Sequence, residues 1–566
     1  MPNSSGQTHR VPHPIERSSH VEMVEKLMLI APEILLFIGA ILVAITGLSG
    51  SRALRGAVPV ITAIFLAGAA VVTQFVYANE DSLASSGLLF PRIGGYIKTL
   101  TCIVGIALVA LGSGTIDRAY ERAVASGRTL FNPLRVMRGE YHAFFLLSLI
   151  GVMLICNATD LIWLFLALEL SVLPTYVMVA LSRNSRDANE AAIKYFFLGA
   201  MSTATFLYGF ALIYGVTGSL VLLDIRDQIG LLLSSEAGLP NLALIGMALT
   251  LLGIFFKISA VPMHIYAPDV YEGASTPMTA YLSIVPKIAG FVAIILLCGT
   301  FGWAERHEIT FAGETMVREG MPESIQTMLW IVAVLTMTLG NIGALLQTSL
   351  KRIVAYSGIT HSGYMLIGVV AGTTAGIDAL LFYLAAYALG NLALFGVLAG
   401  LTRAGHEVEN IEDLAGLWRK NPKMAGFLAL AAGSFVGMPP LIGFWGKLMI
   451  FIAGIESGEI LLISIAAVNS AISAWYYLHI AGVPVVRAAT PRSETVVTTN
   501  RLSPRIVATL AGLSLVVVPI FTTSLYDYAR TGMDISELEA PSSERTLAPS
   551  EDGGDELKVT QDETSA

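Results

Sequence analysis

The sequence predicts an all-α polytopic membrane protein with about fourteen transmembrane helices, two of them broken, in two inverted five-helix repeats. The first observation is composition: the 566 residues are 54% hydrophobic and 13% charged, with a mean hydropathy of +0.69. Soluble domains carry about a quarter charged residues, so this chain is too apolar for that class. The second observation is that apolar runs of about 20 residues recur, each long enough to cross about 30 Å of hydrocarbon.

Polar segments flank the apolar part of the chain. Residues 1–26 carry mixed charges with Pro12 and Pro14 and lack the pattern of a secretory signal, and residues 526–566 are rich in Ser, Asp and Glu. We expect both segments to be disordered tails around a membrane domain at 27–525. The net charge of −8 comes largely from the acidic end, and no basic patch interleaved with aromatics indicates a nucleic-acid partner.

The predicted spans follow the apolar runs in chain order. They lie near 27–48, 57–79, 94–113, 141–158, 160–181, 191–217, 241–263, 276–300, 328–348, 352–373, 377–402, 424–452, 460–482 and 505–525.

Lys and Arg concentrate in the loops that follow the odd-numbered spans. The other internal loops contain only four basic residues, namely Arg92, Arg226, Arg306 and Arg318. This asymmetry is the positive-inside pattern, so we expect the basic loops in the cytoplasm and both termini outside. The alternation also supports the span count, because one missed helix would disturb it.

A small set of charges lies inside the predicted spans. Once the loops and tails are set aside, the remaining basic residues are all lysines: Lys98, Lys194, Lys257, Lys287 and Lys447. A desolvated lysine can lose its proton near neutral pH whereas arginine cannot, so this choice favours proton chemistry. Glu169 is the acid deepest in a span, and Glu33 is shallower.

Structural interpretations of these charges stay open at this point. Lys98 and Lys194 lie within about one turn of a span end, so either can extend to the headgroups. Glu169 can form a purely structural ion pair with a lysine. For Lys257, Lys287 and Lys447, several unpaired positive charges in one bundle disfavour a structural role.

Two helix breaks accompany the lysines. Pro262 interrupts the seventh span near Lys257, and Pro439-Pro440 interrupts the twelfth span before Lys447. With spans 4–8 and 9–13 as two units, each break falls on the fourth helix. Because five is odd, the two repeats must have opposite topology, and paired broken helices in inverted repeats indicate a transport path near the membrane midplane.

The chain contains no motif for redox chemistry or for metal binding. Cys102, Cys156 and Cys298 are far apart and form no CxxC, so we expect neither a zinc site nor an iron–sulfur cluster. No glycine-rich nucleotide motif is present. We therefore expect no cofactor on this chain.

Five motifs together resemble a known family. They are ELSVLPTYVMVAL, NEAAIKYFFLGA, FKISAVPMHIYAPDVYEGASTPMTAYLSIVPKIAGF, SLKRIVAYSGITHSGYMLIG and GMPPLIGFWGK. The chain from about residue 27 to 525 resembles the antiporter-like membrane subunits of proton-pumping NADH:quinone oxidoreductase, respiratory complex I, and among them the N type. The APDVYEG sequence and the lysine after SIVP favour N over the L and M types.

The resemblance implies roles for individual residues. Glu169, Lys194, Lys257, Lys287 and Lys447 match the proton-relay glutamate and lysines of the family. His264 and His361 match polar positions near the same axis and are possible auxiliary groups; a satisfied buried histidine is the alternative for each. A pair between Glu169 and Lys194 is expected to control Lys257, with Lys447 as the last group of the relay.

The same resemblance implies partners and location. NADH, FMN, Fe–S clusters and quinone are expected in other subunits, and the neighbours are the antiporter-like M subunit and small subunits of the A, J and K types. The membrane is expected to be a bacterial-type inner membrane. The alternatives are an Mrp-type monovalent cation/proton antiporter subunit and a scaffold with inert buried lysines.

Overall fold

A computed structural model describes residues 27–78, 87–183, 185–233, 235, 238–302, 305–311, 314–320, 322–403 and 406–530. The predicted tail 1–26 and most of the predicted tail 526–566 lie outside these residues.

The described chain is built almost entirely from helices. In chain order they are α1 Ala31–Gly47, α2 Arg52–Val76, α3 Ile93–Gly112, α4 Arg118–Ala125, α5 Arg138–Ile155, α6 Leu161–Ser182, α7 Arg186–Thr217, α8 Leu222–Leu233, α9 Asn241–Ile258, α10 Ala267–Gly273, α11 Thr276–Thr300, α12 Glu323–Leu345, α13 Leu350–Ala371, α14 Thr374–Ala399, α15 Leu417–Lys420, α16 Pro422–Val436, α17 Ile442–Glu456, α18 Ile460–Val486, α19 Pro491–Glu494, α20 Leu502–Val517 and α21 Thr522–Arg530. Single 3₁₀ turns lie at Pro133–Arg135, Ile411–Leu414 and Val518–Phe521.

Two small antiparallel strand pairs lie in the loops. The first joins β1 Glu305–Phe311 to β2 Glu314–Gly320, and the second joins β3 Leu401–Arg403 to β4 Val496–Thr498. The sequence did not predict these pairs, because short loop strands carry little periodicity.

Twelve helices in the described ranges are long and apolar enough to cross a membrane. The prediction of an all-α polytopic membrane protein is confirmed at this level. Each predicted span overlaps a helix, and the seventh and twelfth predicted spans end or break at the prolines. The last helix continues to Arg530, past the predicted start of the tail.

Helices α11, α13 and α14 form the centre of the bundle. Almost every residue along these three helices is buried by other helices. Their surroundings are therefore protein rather than lipid, which is the setting in which ionisable and hydroxyl side chains persist inside a membrane protein. The centre of the bundle contains Lys287 and His361.

Candidate functional site

The first helix break leaves a backbone carbonyl that needs a new partner. Helix α9 ends at Ile258, and the chain runs through turns at 259–266 before α10. Pro262 has no N–H group, so the Ile258 carbonyl four residues earlier loses its helical hydrogen bond. The Ser362 hydroxyl donates to this oxygen at 2.6 Å and the Lys287 ammonium at 2.8 Å. The break therefore binds a lysine from the next long helix.

The second break repeats this arrangement. Helix α16 ends at Val436, and Pro440, four residues later, supplies no N–H group to the Val436 carbonyl. Lys447 Nζ donates to that oxygen at 3.0 Å and to Ser470 Oγ at 2.9 Å. Gly437 between them has a φ of +89°, which side chains with a Cβ rarely adopt. In both breaks a lysine ammonium lies at the negative end of a half-helix.

Lys257 faces the deep carboxylate. Its side chain is buried, and Nζ lies 3.7 Å from Glu169 Oε1 and donates to the Leu168 carbonyl at 3.3 Å. Thr203 donates to the same carboxylate oxygen at 2.7 Å. Opposite charges at that separation attract by about 4 kcal/mol at an effective dielectric constant of about 20, which offsets part of the roughly 2.5–3.5 kcal/mol cost of each charge at mid-membrane. The pair therefore stabilises a charged Lys257 inside the bundle.

The expected pair between Glu169 and Lys194 is wrong. Lys194 Nζ lies 2.9 Å from Asp269 and 3.0 Å from Glu190, and its side chain is partly exposed. The reason is depth: Thr203, which does contact Glu169, follows Lys194 by about 13 Å along α7 at 1.5 Å per residue. Lys194 lies instead beside an open cavity of about 300 Å³ that Asp269 also lines.

His361 lies at the centre of a hydroxyl cluster. Its Nδ1 is 2.6 Å from the Tyr383 hydroxyl and its Nε2 is 2.8 Å from the Tyr477 hydroxyl. The ring is fully enclosed, and the Tyr477 hydroxyl also contacts the hydroxyl of Ser357. Both ring nitrogens therefore have a partner that can either donate or accept a proton.

Helix α13 contacts the lysines of both broken-helix sites. Ser362, which follows His361, lies 2.6 Å from Lys287 Nζ through its hydroxyl. Tyr364, two residues later, has its ring centroid 5.0 Å from Lys447 Nζ. The helix that bears His361 therefore contacts both broken-helix sites.

His264 is positioned differently from His361. It lies within the turns of the first break and is half-buried, and its Nδ1 has no hydrogen-bond partner among the described residues. No hydrogen bond within the described chain joins it to a lysine of the site.

Lys98 is buried inside the protein and does not extend toward the membrane surface. Its Nζ lies 2.7 Å from Glu33 Oε1, donates to the Leu29 carbonyl at 2.8 Å and lies 5.3 Å from the Tyr77 ring centroid. With 0% of its surface exposed, Lys98 does not extend to the headgroups, so that interpretation is wrong. Closeness to a span end gave a misleading signal, because α1 and the segment before it cover this position.

We expect Lys98→Met to destabilise the protein strongly. It leaves Glu33 buried without its cation, and breaking a buried pair costs about 3–5 kcal/mol. The double variant Glu33→Gln/Lys98→Met removes both charges and should recover most of that loss. The measurement is the thermal unfolding midpoint of detergent-solubilised protein, and equal midpoints for wild type and Lys98→Met would show that the pair contributes nothing.

A neutral polar cluster that the sequence did not predict lies next to Lys447. Asn341 donates to both oxygens of Asn469, at 2.8 Å to the backbone and 2.9 Å to the side chain, and accepts from the Tyr476 hydroxyl at 2.9 Å. Asn469 precedes Ser470, which accepts from Lys447. The sequence signal for this cluster is an asparagine inside each of two apolar spans. The predicted site did not include it because that site was built from charged residues and histidines.

Comparison with known proteins decides the family. Residues 158–473 match the family described as NADH:quinone oxidoreductase/Mrp antiporter, TM. The chain is 34% identical over 504 residues to NADH-quinone oxidoreductase subunit N of Acidithiobacillus ferrooxidans, which covers 89% of this chain and 97% of that protein. This chain belongs to the subunit N family.

Other members agree with this assignment. Subunit N of Trichlorobacter lovleyi is 42% identical over 343 residues, 60% of this chain and 66% of that protein. Among solved structures, a chain of respiratory complex I from Thermus thermophilus with bound Aureothin superposes with a TM-score of 0.67 at 26% identity, covering 89% of this chain and 100% of that one.

The matched family region contains the groups described above from Glu169 to Lys447, including both breaks and His361. The pair of Glu33 and Lys98 precedes it. This chain thus combines the matched region with an additional buried ion pair in its first helices.

Proposed function

We propose that this chain is the membrane subunit through which NADH-quinone oxidoreductase moves protons while other subunits oxidise NADH and reduce quinone. The observation that carries the proposal is the series of largely buried ionisable groups from Glu169 to Lys447, with a lysine bound at each of the two helix breaks. The subunit N name of its relatives supplies the redox reaction. FMN, Fe–S clusters and quinone belong to the other subunits, and this chain contributes no electron-transfer step.

The proposed relay begins with the Glu169–Lys257 pair. Opposite charge stabilises a protonated lysine, so moving Glu169 away from Lys257 favours release of the lysine proton. Lys194 and Asp269, beside the open cavity, receive protons from the cytoplasmic side. The pair is then the point at which movement of a neighbouring subunit controls proton uptake.

Beyond Lys257 the proton passes along the centre of the bundle. Lys287 is the next lysine, and Ser362 connects it to the helix that bears His361. His361 exchanges a proton between its two ring nitrogens and passes it towards Lys447, with water filling the remaining gaps. Lys447 is the last group and releases the proton on the opposite side; His264 has an auxiliary place at the first break.

The two breaks support the inverted repeat. Each break is a proline whose missing N–H frees a carbonyl that a lysine then occupies. We infer fourteen spans in all, formed by the twelve long helices together with α1 and the broken α16–α17 pair. Spans 4–8 and 9–13 are then the two inverted units, and 27–525 is one proton-translocating domain between two tails.

The basic loops support an orientation with both termini outside a bacterial-type inner membrane. The ends of helices α3, α6, α11, α14 and α20 line one cavity and so share a face, as the alternation requires. The neighbours are an M-type subunit, small subunits of the A, J and K types, and lipid.

Cysteine labelling tests this topology. Arg128→Cys in the basic connector should react with a membrane-impermeant thiol reagent only after the cells are opened, whereas Gln228→Cys should react in intact cells. Both positions are exposed, and the native cysteines Cys102, Cys156 and Cys298 are buried. Labelling of residue 128 in intact cells would contradict the orientation.

The Mrp-type antiporter is the second candidate, because the matched family includes Mrp antiporters. It predicts sodium-dependent proton movement without NADH. The sequence identities of 42% and 34% to two subunit N chains favour the oxidoreductase.

Co-purification separates the two candidates. An affinity tag on this chain should recover NADH:quinone oxidoreductase activity in mild detergent, and vesicles containing the complex should acidify with NADH in sodium-free buffer. Recovery without any NADH oxidation, together with sodium-driven proton movement, would support the antiporter and reject our proposal.

A further inference from the structure

A cavity of about 170 Å³ opens among helix ends on the face with the basic loops. It lies where the ends of α3, α6 and α14 meet the starts of α11 and α20, far along the chain from one another. Arg118 and His406 lie at its exposed rim. The cavity is separate from the lysines and His361, none of which lines it.

Three arginines line the cavity with little negative charge to balance them. They are Arg118, Arg183 and Arg501, and the one carboxylate among the described lining residues is Glu407. That carboxylate is already engaged, because Lys351 donates to it at 2.7 Å and the Thr276 N–H at 3.0 Å. Arg183 has its own acidic neighbour in Glu409, at 3.6 Å, so the excess of positive charge in the lining comes from Arg118 and Arg501.

The comparison of charges around the cavity treats Glu407 as ionised, and its surroundings support that charge state. Burial acts to raise the pKa of Glu407, but the charges of Lys351 and Arg183 and the hydrogen bonds from Lys351 and Thr276 lower it to about 2. The carboxylate is therefore ionised at neutral pH, and Lys351 alone is enough to balance it.

Several donors at the cavity have no partner within the described chain. Thr499 is 5% exposed and its hydroxyl makes no hydrogen bond. Arg501 donates through Nη2 to the Ala399 carbonyl at 3.1 Å, whereas its Nε and Nη1 are buried and unpaired. Buried donors are rarely left unsatisfied, so these groups indicate an acceptor that the chain itself does not supply.

We propose that this cavity binds a phosphate group, with Arg118, Arg501 and the Thr499 hydroxyl as its donors and Arg183 adding charge. Guanidinium groups suit phosphate because their planar N–H donors match its oxygens. Basic pockets between membrane helices on the cytoplasmic side are a recognised setting for anionic lipid headgroups. The same chemistry fits a phospholipid headgroup and free inorganic phosphate.

A bound phosphate would join both halves of the chain. Arg118 and Arg183 lie in the first half, before and after α5 and α6, whereas Thr499 and Arg501 lie just before the last long helix. The anion would satisfy donors from both sides and bring the helix ends together.

Mass spectrometry of the purified whole complex tests the proposal. Wild type released from mild detergent should retain an anionic phospholipid, and Arg118→Gln/Arg501→Gln should retain it about tenfold less, because each basic group near an anionic headgroup contributes several-fold in affinity. Thr499→Val removes only the hydroxyl and should weaken retention without affecting assembly. Arg419→Gln, an exposed arginine outside the cavity, is the matched control.

A second arm distinguishes the source of the phosphate. Arg501 in delipidated complex is allowed to react with phenylglyoxal, which modifies arginine. Either phosphatidylglycerol vesicles or inorganic phosphate, at two concentrations about 10-fold apart, is added beforehand. Protection by the vesicles alone assigns the site to a lipid headgroup, and protection by inorganic phosphate assigns it to a soluble anion; both support the proposal. Equal lipid retention in all variants with no protection by either probe would overturn it.

Discussion

Replacing Lys257 with methionine should reduce NADH-driven proton pumping about tenfold or more while the complex still assembles. Methionine keeps the length and apolar volume of the side chain but removes the group that carries the proton. Thr203 continues to donate to Glu169, which limits the cost of leaving that carboxylate without its cation. Lys257→Arg retains the charge yet cannot release a proton at accessible pH, so it should be almost as damaging.

The pumping measurement uses inverted membrane vesicles and a pH-sensitive dye. NADH oxidation with an artificial electron acceptor, measured on washed membranes, reports the amount of complex that stays anchored in the membrane. Lys423→Met is the matched control, because Lys423 is exposed in the first turn of α16 and contacts none of the relay groups. A normal pH gradient in Lys257→Met would remove Lys257 from the relay.

Glu169 should couple energetically to Lys257 and not to Lys194. In the structure Glu169 lies 3.7 Å from Lys257, whereas Lys194 contacts Asp269 and Glu190. Either single substitution of the close pair leaves a buried charge alone, but the double variant removes both charges and should lose less than the sum of the two.

Thermal stability of the purified complex measures this coupling. We expect Glu169→Gln/Lys257→Met to deviate from additivity by about 0.5–3 kcal/mol, and Glu169→Gln/Lys194→Met to be additive. Glu169→Gln alone should also reduce pumping several-fold, and Glu169→Asp, which keeps the charge, should be milder. Additivity of the first pair with coupling in the second would restore the Lys194 assignment.

The helix breaks are the part of the site that the sequence predicts most completely. A proline removes the hydrogen bond of the carbonyl four residues earlier, and this rule identifies the carbonyl of Ile258 at the first break and those of Phe435 and Val436 at the second, which has two prolines. The sequence around each break does not show which lysine binds the freed carbonyl. Lys287 comes from the following helix, whereas Lys447 comes from the second half of its own broken helix.

The partner of Glu169 was mispredicted because ion pairing depends on depth in the membrane. Helices α6 and α7 are antiparallel and joined by a short loop, so residues equally far from that loop lie level with each other. Counting from the loop places Glu169 opposite Gly199, which is five residues from Lys194 and four from Thr203, so spacing alone does not decide between them. The resemblance to the family favoured the lysine, whereas in the structure Lys194 has nearer acids in Glu190 and Asp269.

Burial of the first helices follows from contacts that the sequence does not reveal. Lys98 lies near a predicted span end, which suggested exposure, yet Glu33 and the segment at Leu29 enclose it. The polar contacts of Asn341 and His361 likewise depend on which faces of α12, α13 and α18 meet. Helical periodicity is weak in α13, which is buried on all sides, and in α12 and α18 the faces toward lipid and toward protein are both apolar, so the contacting faces cannot be predicted from the sequence.

The central claim is that protons cross the membrane through the groups between Glu169 and Lys447. Its most direct test is the number of protons translocated per NADH oxidised by purified complex in sealed proteoliposomes, for wild type, Lys257→Met and Lys423→Met. This ratio separates a lost proton path from slower turnover. We predict a lower ratio for Lys257→Met and the wild-type ratio for Lys423→Met; an unchanged ratio in Lys257→Met would contradict the account.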